Sequence, residues 1–292
     1  MKDKIRVPVK IKIRPYLMDH QFKGEAVLPA VEAMQLLAGS TQTFIHDINT
    51  RFIGKAKFNK FLYVKPEYMN IENFWINAFN EIKFLENDNI GSKLITIIRS
   101  KKNSVTRAKE HVSIVFTRKN HKFPKPPTDL VSPLKGDCFN IPSNSLYADL
   151  VPFGPAYRNL KGTLLVSENG ALANIYGSAN DAPSNPLGSP FPLDAAFHAA
   201  CAWGQRFSKI VAFPVGFEKR FIFRLTNFKK KYICKIIPIQ TYPGLLIFDI
   251  WIYDSKGALY EAVLGMHMKD ISGGRLKPPQ WVMEKHQDAV RK

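Results

Sequence analysis

The residues of this 292-residue chain whose types and settings could do chemistry are His20, Asp194 and His198. His20 stands in "LMDHQFKG", too marked by Gly and charge to be core, just before an apolar run rich in Ala, Leu and Met. Asp194 and His198 lie four residues apart in "FPLDAAFHAACAWG", so on a helix they share one face. That face is otherwise Ala, Phe and Trp, where a carboxylate is costly to ionise unless paired. A carboxylic acid kept protonated beside an imidazole is a suitable general acid near neutral pH. Two plainer readings stand beside this one: Asp194 as the N-cap of its helix, where Asp is favoured, and His198 as a satisfied core histidine.

The elements that must position these groups follow from periodicity. From Lys4 to Tyr16 apolar residues alternate with polar ones (Ile5, Val7, Val9, Ile11, Ile13), which predicts a strand. Pro29 to about Phe44 is small and apolar nearly all round, the pattern of a helix buried on most faces, and Pro29 suits its first turn. "FLYVKP", "FWINAFNEIKFL", "KLITIIRS" and "HVSIVFTR" read as strands, with "ENDNIG" and "KKNS" as turns.

The stretch "NHKFPKPPTDLVSPLKGDCFNIPSN" carries five prolines and little periodicity, and reads as a linker between halves. The pattern then recurs. Strands "LKGTLLVS" and "GALANIYG" lead through the Pro/Gly/Ser-rich "DAPSNPLGSPFP" to a second Ala-rich helix, "LDAAFHAACAWGQRF". Four more strands follow: "FEKRFIFRL", "KYICKIIPIQ", "LLIFDIWIYD" and "LYEAVLGMHM". One buried helix per half, each followed by antiparallel strands, predicts an α+β structural duplication of two sheets, each wrapped around a long central helix. The expected divisions are a first half over 1–120, a Pro-rich linker over 121–145, a second half over 146–271 and a charged tail over 272–292.

Composition narrows the function classes. Hydrophobic content of 45% and aromatic content of 12% fit an ordered globular chain. No apolar run approaches a membrane span, and the basic N-terminus lacks the apolar stretch of a signal peptide. Cys138, Cys201 and Cys234, odd in number and widely spaced, read as reduced thiols of a cytoplasmic protein. Forty-two Lys and Arg against 24 Asp and Glu leave a net charge of +18, which attracts an acidic partner or simply serves solubility. Short basic clusters at "SKKNS" and "FKKKYICK" come without a recognition-helix, zinc-finger or RNA-platform pattern, so nucleic acid is not the expected partner. The sequence has no dinucleotide fingerprint, phosphate loop, zinc-protease or serine-hydrolase motif.

Taken in order, the motifs resemble one family. "HQFKGEAVLP" matches H-x-x-x-G-x-x-x-x-P through His20, Gly24 and Pro29, the first signature of polyketide synthase dehydratase domains. "DAAFH" resembles that family's D-x-x-x-[QH] through Asp194 and His198. "LVPFGPAY" looks like a variant of its G-Y-x-Y-G-P-x-F motif, retaining Gly154 and Pro155, and "FPVGFEKRFIF" resembles the strand after its second helix. The resemblance spans roughly residues 5 to 270.

That resemblance implies a double hotdog whose site lies at the junction of the halves. It implies that His20 takes the α proton of a β-hydroxyacyl thioester, Asp194 protonates the departing hydroxyl and His198 orients Asp194. Gly24, Pro29, Phe153, Gly154, Pro155 and Tyr157 are the expected substrate-binding positions. Free amides at the first helix's N-terminus, with Gly24 ahead of it, are the expected donors to an enolate oxygen. No cofactor or metal is implied. The implied partner is an acyl carrier protein bearing the substrate on phosphopantetheine, and family members pair as homodimers. Val151 and Phe153 stand where the family has Tyr, so the hydroxyl near the leaving group is missing or comes from Tyr147 or Tyr157. That departure keeps two alternatives open: a cyclase, product template or double-bond isomerase on the same fold, and a catalytically silent carrier-binding module.

Overall fold

Lysine and β-branched residues alternate along β1 (Lys4–Lys12), which buries Val9 and Ile11 and turns Lys10 and Lys12 to solvent. The computed structural model of the chain describes residues 4–70, 74–99, 106–117, 122–178 and 185–284. β1 is shorter than the alternation predicts, because Pro15 opens a 3-10 turn, Pro15–Asp19. A small hairpin follows, β2 (Gln21–Phe22) and β3 (Glu25–Ala26). Its turn residues Lys23 and Gly24 both have positive φ, 53° and 79°.

The first long helix, α1 (Ala30–Phe44), begins one residue after Pro29, which serves as its N-cap. It buries Val31, Ala33, Met34, Leu37 and Ala38 against the first group of strands. These are β4 (Asn49–Phe58), β5 (Trp75–Phe84), β6 (Asn89–Arg99) and β7 (Thr106–Thr117). The strand expected at "FLYVKP" makes only one isolated bridge, Val27 to Tyr63. The fourth strand is instead β4. Its alternation is broken by shifts of register and by Lys55 at φ 46°, which hid it from a period-two reading. The turn expected at "KKNS" lies outside the described residues.

β8 (Phe139–Pro142) lies inside the Pro-rich segment 121–145 and pairs with β9 (Leu160–Ser167). Between them run helical turns at Ser143–Ser145 and Leu146–Leu150 and a 3-10 turn at Pro155–Tyr157. β10 (Gly170–Tyr176) precedes the second long helix, α2 (Phe191–Phe207), which is buried from Phe191 to Gln205. Then come β11 (Phe213–Ile222), β12 (Lys231–Tyr242), β13 (Leu245–Tyr253) and β14 (Leu259–Lys269). The segment expected as a charged tail starts packed: Arg206 of α2 donates to the carbonyl of Val282, which is buried in the short helix Gln280–Met283.

α1 packs inside the sheet of the first half and α2 inside that of the second, the α+β double hotdog expected from the duplicated pattern. The two sheets are continuous, in the order β1-β5-β6-β7-β4-β11-β14-β13-β12-β10-β9-β8. Pairing of β4 with β11 consumes an open edge of each half, which removes two unpaired rows of backbone donors and acceptors. Gly216 sits on this seam at φ 152°, where an added Cβ would lie 2.2 Å from the Ala56 carbonyl oxygen. Among the described residues no helix is long and apolar enough to cross a membrane.

Candidate active site

Two cross-half ties set the geometry. The Gly154 N–H donates to the Asp19 carbonyl at 2.7 Å, and the Ala156 N–H donates to Asp19 Oδ2 at 2.8 Å. They pin the 150–157 loop of the second half onto the turn that ends at His20. An added Cβ on Gly154 would lie 2.2 Å from Asp19 Oδ1, so only glycine allows this approach. On the other side Gln35 of α1 donates to the Gly188 carbonyl at 2.6 Å and accepts from the Leu187 N–H at 3.0 Å, holding the chain just ahead of α2.

The pinned loop lays Phe153 flat on the His20 ring, with centroids 4.3 Å apart, and sets the edge of Tyr157 against it at 5.0 Å. His20 Nδ1 faces the Val27 carbonyl oxygen at 3.2 Å. A carbonyl only accepts, so Nδ1 carries the proton and Nε2 keeps its lone pair. Burial holds the His20 imidazole below its usual range, partly offset by Asp194 when that group is ionised. The ring is therefore neutral at pH 7 and able to take a proton, and 15% of its side chain stays exposed to a substrate.

Asp194 is not an N-cap. α2 starts three residues earlier, with Pro190 at the cap and Pro192 in the first turn, because proline's fixed φ suits helix starts. From this first-turn position Asp194 Oδ1 reaches within 3.9 Å of His20 Nε2, and Oδ2 lies 3.1 Å from His198 Nε2. His198 in turn has its Nδ1 3.3 Å from the Tyr147 hydroxyl, which accepts the Leu160 N–H at 2.9 Å. Either the phenol or the imidazole can donate across the Tyr147–His198 contact, and the 3.1 Å approach of His198 Nε2 to Asp194 Oδ2 is a close electrostatic contact without hydrogen-bond alignment.

Tyr147, His198, Asp194 and His20 thus form one chain of polar groups crossing the junction of the halves. Tyr147 is the tyrosine that sequence reading left open with Tyr157; it lies behind His198. Phe153 offers no hydroxyl. Gly24 is exposed at the tip of its hairpin, and its positive φ accounts for its type. Pro29 is buried as the α1 cap, Pro155 is exposed at the start of its turn, and the Gly154 amide is committed to Asp19.

Three polar residues escaped the motif reading: Asp19, Tyr16 and Glu32. Asp19 adjoins His20, but nothing in the sequence signals a tie to residue 154. Glu32 reads as an ordinary acidic residue of a helix first turn. Among the described residues no three His, Cys, Asp or Glu side chains converge as a metal site.

Residues 140–278 match the model of the family described as polyketide synthase dehydratase N-terminal domain. No curated protein matches the chain. Among solved structures, the dehydratase domain from the CurF module of curacin polyketide synthase is similar at 17% identity and a TM-score of 0.68, covering 92% of this chain and 94% of that one. A trans-AT polyketide synthase dehydratase domain from Brevibacillus brevis is similar at 14% identity and a TM-score of 0.72, again over 92% and 94%. A monomeric dehydratase domain from a trans-AT polyketide synthase split module is similar at 11% identity and a TM-score of 0.68, over 92% and 100%. The resemblance to the polyketide synthase dehydratase domain family is thereby borne out: the second half matches the family's model, and the described residues have the family's double-hotdog fold.

Proposed function

We propose that this chain eliminates water from a β-hydroxyacyl thioester carried on the phosphopantetheine arm of an acyl carrier protein. The observation that carries this reading is the 3.9 Å separation of His20 Nε2 and Asp194 Oδ1, one from each half. A base and an acid side by side on one face suit a substrate whose acidic Cα–H and departing Cβ–OH sit on adjacent carbons.

His20 Nε2 takes the α proton, and the C–H pair becomes the double bond as the C–O bond breaks. Asp194 gives its proton to the departing oxygen, which leaves as water. The step ends with His20 protonated beside the Asp194 carboxylate. Proton return across the same gap resets both groups. His198, with Nε2 on Asp194 Oδ2, keeps Oδ1 turned to the substrate. The +18 net charge suits an acidic carrier protein.

The test is mass spectrometry of β-hydroxyacyl carrier-protein thioesters of several chain lengths after incubation with the protein. Product lighter by one water is expected, with His20→Ala and Asp194→Asn each abolishing it while circular dichroism stays unchanged. Full turnover by both variants overturns the assignment. Phe153 in place of a tyrosine favours one second reading, a double-bond isomerase using the same base and acid. Its product would have unchanged mass.

A further inference from the structure

A third carboxyl adjoins this pair and takes no part in the steps above. Glu32, in the first turn of α1, accepts hydrogen bonds on both oxygens: from the Tyr157 hydroxyl on Oε1 at 2.5 Å and from the Tyr16 hydroxyl on Oε2 at 2.9 Å. The two tyrosines come from different halves, Tyr16 from the Pro15–Asp19 turn and Tyr157 from the Pro155–Tyr157 turn. Their rings pack together at 6.1 Å and both pack on Phe191 of α2, at 6.1 and 5.4 Å. Tyr157 is fully buried, and its ring edge meets His20. A carboxylate held by two hydroxyls is fixed in place, and so is whatever those hydroxyls carry.

We propose that Glu32 is a positioning residue of this site: with Tyr16 it anchors Tyr157, which holds the His20 ring in line with Asp194. The inference rests on the dehydratase reading for the step it serves, though the anchoring geometry stands without it.

The ionised and neutral forms of Glu32 differ in what they anchor. As a carboxylate it accepts from both tyrosines. Once protonated, one oxygen becomes a donor, and one of the two bonds must reorganise. Burial pushes the Glu32 carboxyl up to about 7; the hydrogen bonds from Tyr157 and Tyr16 oppose the rise, Asp194 adds to it when ionised and Arg14 opposes it. These groups come from both 3-10 turns, from α2 and from Arg14, which caps the Pro15–Asp19 turn. The anchored form therefore builds up as pH rises through neutrality, above the range in which His20 loses its own proton.

Two measurements on the full chain test this. The first is kcat/KM against pH with a 3-hydroxyacyl carrier-protein thioester. The wild type is expected to show an acid-side inflection near pH 7 in addition to that of His20. Glu32→Gln, which keeps a hydrogen-bonding group for each tyrosine but cannot titrate, loses the inflection. Glu32→Ala, which releases both tyrosines, lowers kcat by about ten- to a hundred-fold, the range for a displaced catalytic group. The second follows the His20 ring by NMR and needs no turnover. Its signals are expected to shift in a second step near pH 7 in the wild type, and in neither Glu32→Gln nor Tyr157→Phe. A step near pH 7 that persists in Glu32→Gln overturns the proposal, as does its absence from the wild-type His20 signals. Absence of turnover in the wild type would count against the dehydratase reading alone, leaving the NMR titration to decide the role of Glu32.

Discussion

Gly154 lies so close to Asp19 that a single added carbon would overlap the carboxyl oxygen, at 2.2 Å. This contact joins the loop of one half to the residue beside His20 in the other, and it decides where Phe153 sits. Gly154 has φ −73°, an ordinary value, so the requirement for glycine is one of space. Gly154→Ala must therefore push the loop away and lift Phe153 from the His20 ring. A fall in kcat/KM of about ten- to a hundred-fold is expected, with the circular dichroism spectrum retained. Wild-type kinetics in this variant would show that the loop contact is not needed.

Tyr147 touches the reaction only through His198. Tyr147→Phe removes the hydroxyl that faces His198 Nδ1 and leaves the Leu160 N–H without its acceptor. The imidazole then has no partner at Nδ1 to select its tautomer. Nitrogen-15 NMR of the His198 ring is expected to show mixed tautomers, and kcat to fall about ten-fold with KM little changed. An unchanged tautomer would assign Tyr147 to packing alone.

His20 makes stability depend on pH in a definite direction. Its folded-state pKa lies below the ordinary 6.5 because burial opposes the charged ring. Between 6.5 and that lower value the unfolded chain holds a proton that the folded chain refuses, so stability falls as pH drops through the window. Denaturant melts at pH 7.5 and 5.5 are expected to show the wild type losing more stability than His20→Gln. Equal losses would mean that the ring titrates normally in the folded chain.

Arg220 of β11 and Glu261 of β14 form a buried ion pair at 2.9 Å, with side chains 1% and 0% exposed. Beside them Thr226 donates its hydroxyl to the Ser189 carbonyl ahead of α2 at 3.0 Å, with its oxygen 3.5 Å from Glu261 Oε1. Removing one partner leaves a buried, uncompensated charge, so Glu261→Ala is expected to cost about 3–5 kcal/mol in a denaturant titration. A loss under about 1 kcal/mol would show that water reaches Arg220.

Both long helices and most of the strands were legible in the sequence because each half buries one face. Alternation from Ile5 to Ile11 and the unbroken small apolar surface of "AAFHAACAWG" are local consequences of that burial. His20, Asp194 and His198 were legible as types in suggestive settings. β4 was not, because its bulges break the period-two signal on which strand reading depends. Nor was the N-cap question at Asp194, since a helix start shifts by a turn without changing composition.

Periodicity and spacing carry the duplicated pattern and the pair of residues at the heads of two buried helices. The joining of the sheets through β4 and β11, the stacking of Phe153 on His20 and the place of Tyr147 behind His198 came only with the packed fold. It alone brought Glu32 between tyrosines of both halves. The reason is physical: periodicity reports which face of an element is buried, whereas these contacts join residues far apart in the chain. Their distances depend on how the halves dock, and docking is set by the shape of the whole core.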